Sequence, residues 1–167
     1  MAAAAISGAL AALAASDALG RVLSALLRVS LPRATRFLCG AALLQLAVFG
    51  LGATHQLTSL ALGSLGALTV IGAIALPTPP PAPGIRAPRW LWLVLVPYAV
   101  VYLAHALAPE ISPDGLAYHV ALPHRYLRDA ALTFVPYNIY AQLSQAMEML
   151  FTMALAFGSS SSAALVH

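Results

Sequence analysis

The chain has 167 residues, of which 61% are hydrophobic and 8% charged, with a mean hydropathy of +0.87. Soluble domains carry roughly 25% charged residues, so the composition excludes an ordinary soluble enzyme and indicates an integral membrane protein. The net charge of +3 comes from arginines alone, with no lysine, and a few loop arginines do not make the basic face that nucleic acid requires.

At about 20 apolar residues per span, the chain has room for four or five helices. The expected fold is all-α: a polytopic transmembrane helix bundle with an exoplasmic loop containing amphipathic juxtamembrane helices. Met1 to Leu19 is Ala-rich and lacks the basic n-region of a secretory signal, so it reads as a first, weak helix retained in the mature protein, with Asp17 at the interface. Gly20 to Arg36 carries Arg21, Arg28, Arg33 and Arg36, with Val22, Leu23, Leu26 and Leu27 between them at helical spacing. It reads as a cytoplasmic amphipathic segment. Cys39, the single cysteine, cannot form an intrachain disulfide and reads as a small buried hydrophobe.

Phe37 to Ala53 and Leu57 to Leu76 form an antiparallel pair of spans, with His55 as a loop residue. Gly50, Gly52, Gly63 and Gly66 suit the close packing that small residues permit in lipid. Residues 77–89 are a proline-rich linker ending in Arg86 and Arg89. Two spans separate the arginine clusters, so both fall on one side, cytoplasmic by the positive-inside rule. Trp90 to Ala108 then runs outward behind an aromatic anchor at Trp90 and Trp92. The chain therefore divides into transmembrane helices with cytoplasmic basic segments (1–108), an exoplasmic loop with juxtamembrane helices (109–143), and a returning transmembrane helix followed by the start of a further helix (144–167).

The stretch from Pro109 to Phe151 holds four of the five acidic residues, Glu110, Asp114, Asp129 and Glu148. Ser112 or Asp114 is placed to cap a helix, whose face carries Leu116, Val120 and Leu127. Pro123 kinks that helix or begins a second one. His119 and His124 lie about 140° apart on a helix, which separates them as surface histidines rather than as joint metal ligands. Glu148 enters an apolar run, where a carboxylate needs a partner such as an arginine or a tyrosine. P-loop, GxGxxG, HExxH and GxSxG signatures are absent, and the sequence leaves the cofactor and any metal dependence undetermined.

Four segments carry a resemblance: Pro-Asp-Gly-Leu-Ala-Tyr-His (Pro113 to His119), Leu-Pro-His-Arg-Tyr-Leu (Leu122 to Leu127), Pro-Tyr-Asn (Pro136 to Asn138) and Glu-Met-Leu-Phe (Glu148 to Phe151). Behind an outward-running span, this pattern resembles the N-terminal part of bacterial C-type membrane glycosyltransferases, related to protein O-mannosyltransferases and aminoarabinose transferases. The resemblance covers about Trp90 to His167. It implies an inner-membrane enzyme, of which this chain looks like an N-terminal portion, moving a sugar from a polyprenyl-phosphate donor to an acceptor hydroxyl. Asp114 matches the general base. Arg125 and Arg128 are candidates to offset phosphate charge, and Tyr118, His119, Asn138 and Glu148 to bind substrate. Many relatives carry a second acid directly after the aspartate, whereas here that position is Gly115. The alternative is a non-catalytic integral membrane subunit that packs through its small-residue faces within a larger complex of membrane subunits.

Overall fold

The computed structural model describes residues 2–84 and 87–167; Arg86, part of the second basic cluster, lies outside the described residues. Every regular element among them is helical: α1 (Ala2–Leu27), α2 (Arg33–Ala53), α3 (Ser59–Ala75), α4 (Leu91–Leu107), a π-helical turn (Gly115–His119), α5 (Ala121–Asp129), a 3-10 turn (Ile139–Gln142), α6 (Ala146–Ala156) and α7 (Ser160–Val166). By length and composition, α1 and α2 are able to cross a membrane, while α3 and α4 are apolar helices of 17 residues.

The first helix does not stop at Leu19, and no separate amphipathic helix comes after it. It continues to Leu27, because Gly20 is no breaker here: it sits buried with the Arg36 carbonyl where its side chain would be. The chain then turns at Arg28, which has a positive φ of 55°. Asp17 faces Arg36 across the α1–α2 contact, with Oδ1 3.6 Å from a guanidinium nitrogen.

Small residues set the spacing of that contact. Gly8, Ala12, Ser16, Gly20 and Ser24 recur every four residues along α1 and all are buried, forming the smooth stripe that lets helix backbones approach in lipid. A Cβ on Gly40 would overlap the Ser16 carbonyl and the Gly20 backbone. Of the glycines expected from sequence to pack closely, Gly50 faces open space, and Gly52, Gly63 and Gly66 meet only side chains, those of Leu132, Phe157 and Met153. Gly40→Ala is therefore expected to destabilise the fold by about 1–3 kcal/mol, because the helices must separate. Gly50→Ala should stabilise by up to about 1 kcal/mol through helix propensity. Unfolding in detergent compares the two.

The structural hub is α6, buried without a break from Glu148 to Leu155 and packed on α1, α2, α3, α5 and α7. A helix apolar on all sides belongs in a core. This changes the expected ending of the chain. At 11 residues α6 is about 16 Å long, roughly half a bilayer's hydrocarbon thickness. Gly158 and a serine capping box at Ser159 and Ser162 divide it from α7. The returning segment is thus two short helices. In contrast, α4 buries only Ala106 and is tied to α7 through the Tyr102 hydroxyl, which donates to the Ala164 carbonyl at 2.8 Å.

The bundle has two distinct ends. At one, the amide of Ala82 in the proline-rich linker donates to the Leu31 carbonyl in the α1–α2 turn, which is flanked by Arg28 and by Arg33, the first residue of α2. At the other, the chain after α5 clasps the α2–α3 turn through Leu57 N–H to Ala130 O and Leu132 N–H to Gly52 O, both at 3.0 Å. The acidic stretch therefore sits at the end opposite that basic turn.

Candidate functional site

Construction of the site begins at a tight acidic turn. Glu110 Oε1 accepts from both the amide and the hydroxyl of Ser112, and the Ser112 hydroxyl oxygen accepts from the Gly115 amide at 3.0 Å. The cap is thus Ser112, and Asp114 makes no capping bond. The hydrogen bonds from Ser112 hold the Glu110 carboxyl below the usual carboxylate range. A side chain on Gly115 would collide with the Glu110 carboxyl group.

From this turn the backbone winds through the π-helical Gly115–His119 into α5, with Pro123 in the first turn, where its missing N–H costs least. The buried face of α5 is Leu122, Pro123 and Tyr126. The face expected from sequence differs, since Leu116 is 61% exposed. The extra residue of a π turn changes the register across it, so periodicity read straight through the turn misplaces Leu116, while Val120 and Leu127 do pack on the same cluster of Phe151, Leu155 and Ala163.

Asp114 is exposed and, among the described residues, its carboxylate enters no hydrogen bond or ion pair. It lines a cavity of about 330 Å³ together with Glu110, His119, His105, Tyr102 and His167. His119 is not a free surface histidine. Its Nδ1 is hydrogen-bonded with Glu148 Oε1 at 2.8 Å, and the Glu148 side chain is only 6% exposed against 34% for His119. The partner of Glu148 is thus a histidine, where sequence suggested an arginine or a tyrosine. Tyr118 rests on the His119 ring at a centroid distance of 4.0 Å and stacks on Tyr140 at 4.6 Å. Its hydroxyl is pushed up by loss of hydration and then by the Asp114 carboxylate. Asn138 clamps the turn, donating to the Ala117 carbonyl at 2.9 Å and accepting from the Tyr140 amide at 3.0 Å.

Asp114, His119 and, behind His119, Glu148 therefore meet at one place, with Tyr118 and Asn138 bracing it. Arg125 and Arg128 are not brought there. Arg125 Nε donates to Thr133 Oγ1 at 3.1 Å and lies 3.5 Å from Asp129, and Arg128 Nε donates to Asp129 Oδ1 at 2.9 Å. The bond from Arg128 holds the Asp129 carboxyl low and the Arg128 guanidinium high.

Sequence reasoning missed His105, Glu110 and His167 as cavity residues. His105 had one legible signal, an ionisable group in the last turn of an apolar helix; His167 had none. Among the described residues no group of three His, Cys, Asp or Glu side chains is arranged to hold a metal. A second, largely apolar groove of about 780 Å³ runs alongside, sharing Glu110, Gly115 and Val120 with the first cavity and lined further by Leu107 and Leu116. No family model, curated protein or solved structure matches the chain.

Proposed function

We propose that the chain is the N-terminal portion of a membrane glycosyltransferase in a bacterial inner membrane, transferring a sugar from a polyprenyl-phosphate donor to an acceptor hydroxyl, with Asp114 as general base. The helices form a polytopic bundle in this reading, and residues 109–143 lie on its exoplasmic side. The observation that carries it is the uncommitted Asp114 carboxylate at a cavity that also holds the His119–Glu148 pair. A hydroxyl attacking an anomeric carbon must lose its proton, and a carboxylate free of other hydrogen bonds is available to take it. Support also comes from the motif pattern of residues 113–151, from the apolar groove beside the cavity, which suits an isoprenoid tail, and from the opposed basic and acidic ends of the bundle.

The phosphate contact assigned to Arg125 and Arg128 by resemblance has no support in their positions, since both are engaged with Asp129. The exposed apolar flank of α4, including Leu93, Val101 and Leu103, is covered by lipid or by further helices. Membranes containing the full open reading frame, supplied with a polyprenyl-phosphate sugar, are expected to form a glycosylated product that control membranes lack. Equal product in both would remove the assignment.

A further inference from the structure

Resting on the transfer reading above, we propose that His119 is the group that meets the phosphate of the lipid-linked donor, with Glu148 as the positioning residue that holds its ring. The protonated ring donates its Nε2–H to the phosphate oxygen that departs from the sugar.

The two arginines of the polar stretch are turned onto Asp129. The basic side chains in the lining are His105 from the last turn of α4, His119, and His167 from the end of α7. Of these, His119 alone is joined to a buried carboxylate, through Nδ1 and Glu148 Oε1 at 2.8 Å. A carboxylate that is 6% exposed is costly without a hydrogen-bonding partner, and the His119 ring is the partner it has. Because Nδ1 is committed to Glu148, Nε2 is the nitrogen left for a ligand, and a carboxylate on one ring nitrogen fixes both tautomer and ring direction at the other. The ring plane is held further by Tyr118 at 4.0 Å and by Phe151, edge-on at 6.1 Å. The other ionisable groups around the pair are Tyr118 from the π-helical turn, Asp114 and Glu110 from the acidic turn, Tyr102 and His105 from α4, Tyr126 from α5 and His167 from α7.

The chemistry balances with these two groups. As the acceptor oxygen bonds to the anomeric carbon, its proton passes to Asp114. The bond from that carbon to the phosphate oxygen breaks, its electron pair stays on the oxygen, and the Nε2 proton of His119 moves there. Asp114 ends protonated and the ring neutral, and return of one proton from Asp114 to the ring restores both.

The test uses the full chain in detergent micelles, ¹⁵N-labelled at histidine, with farnesyl phosphate as the phosphate probe and farnesol as the control for the hydrocarbon tail. Farnesyl phosphate is expected to shift the His119 Nε2 resonance. His119→Gln and Glu148→Gln should each weaken its binding about tenfold or more, the size of a lost charge-assisted hydrogen bond. Farnesol binding should be unchanged by either substitution, and Arg128→Gln should leave both ligands bound as in the parent. Parent-like binding of farnesyl phosphate by His119→Gln, a loss confined to Arg128→Gln, or no binding by the parent would each overturn the proposal. The two readings fail separately. Phosphate binding that depends on His119 without sugar transfer sinks only the transferase, while transfer that requires Asp114 with binding indifferent to His119 sinks only the histidine assignment.

Discussion

Asp114→Asn is expected to lower sugar transfer by about 10²–10⁴-fold, the usual contribution of a positioned general base, while leaving the fold intact. The amide matches the carboxylate in shape but cannot accept the acceptor's proton. The structural cost is small for a specific reason. Among the described residues the Asp114 carboxylate makes no hydrogen bond, and the helix-capping role that the sequence offered it belongs to Ser112. Stability should therefore stay within about 0.5 kcal/mol of the parent, as for an exposed side chain without partners. Transfer rate and detergent unfolding measured on the same preparation separate the two effects. Unchanged transfer would remove Asp114 from the chemistry, and a large loss of stability would mean that it holds the fold after all.

The second large effect lies at the His119–Glu148 pair and is asymmetric. His119→Leu leaves a carboxylate that is 6% exposed without its hydrogen-bond partner, a change expected to cost about 3–5 kcal/mol at neutral pH. Glu148→Leu costs less, about 1–3 kcal/mol, because the His119 ring is 34% exposed and can bond to water in the cavity. The double variant should recover most of the loss, since replacing both members of a buried pair with apolar groups is often near neutral. A double-mutant cycle monitored by unfolding reads the coupling directly. Simple additivity would show that the two side chains do not depend on each other.

Much of the fold was legible because hydropathy and proline are local signals. The apolar stretches before and after Thr54–Gln56 became α2 and α3, and the run after Trp90 became α4. What escaped depends on contacts between distant segments. Gly20 reads as a stop until the Arg36 backbone is found against it, and Gly50 reads as a packing residue until it is seen to face nothing. The 11-residue α6 looks like part of a span because its residues are apolar, yet it is apolar because it lies at the centre of the bundle. The site divides in the same way. Asp114, Tyr118 and His119 share one short motif and are found together, and Glu148 stands out in the sequence as a buried acid in need of a partner. That the partner is His119, 29 residues earlier, and that His167 joins the cavity from the far end of the chain, are facts of packing that no spacing rule encodes. The arginines show the converse. Their charge suggested phosphate, but Asp129, adjacent to one and four residues from the other, takes both.

For a polyprenyl-linked donor to be used as proposed, the face bearing Asp114 must look out of the exoplasmic side of the bilayer. Tyr137 is fully exposed in the same polar stretch, and Cys39 is the single native cysteine. Tyr137→Cys in a Cys39→Ala background, treated in intact cells with a membrane-impermeant thiol reagent, measures the side directly. Labelling without permeabilisation is the expected result; labelling only after the inner membrane is opened would place Asp114 in the cytosol and contradict the proposed reaction.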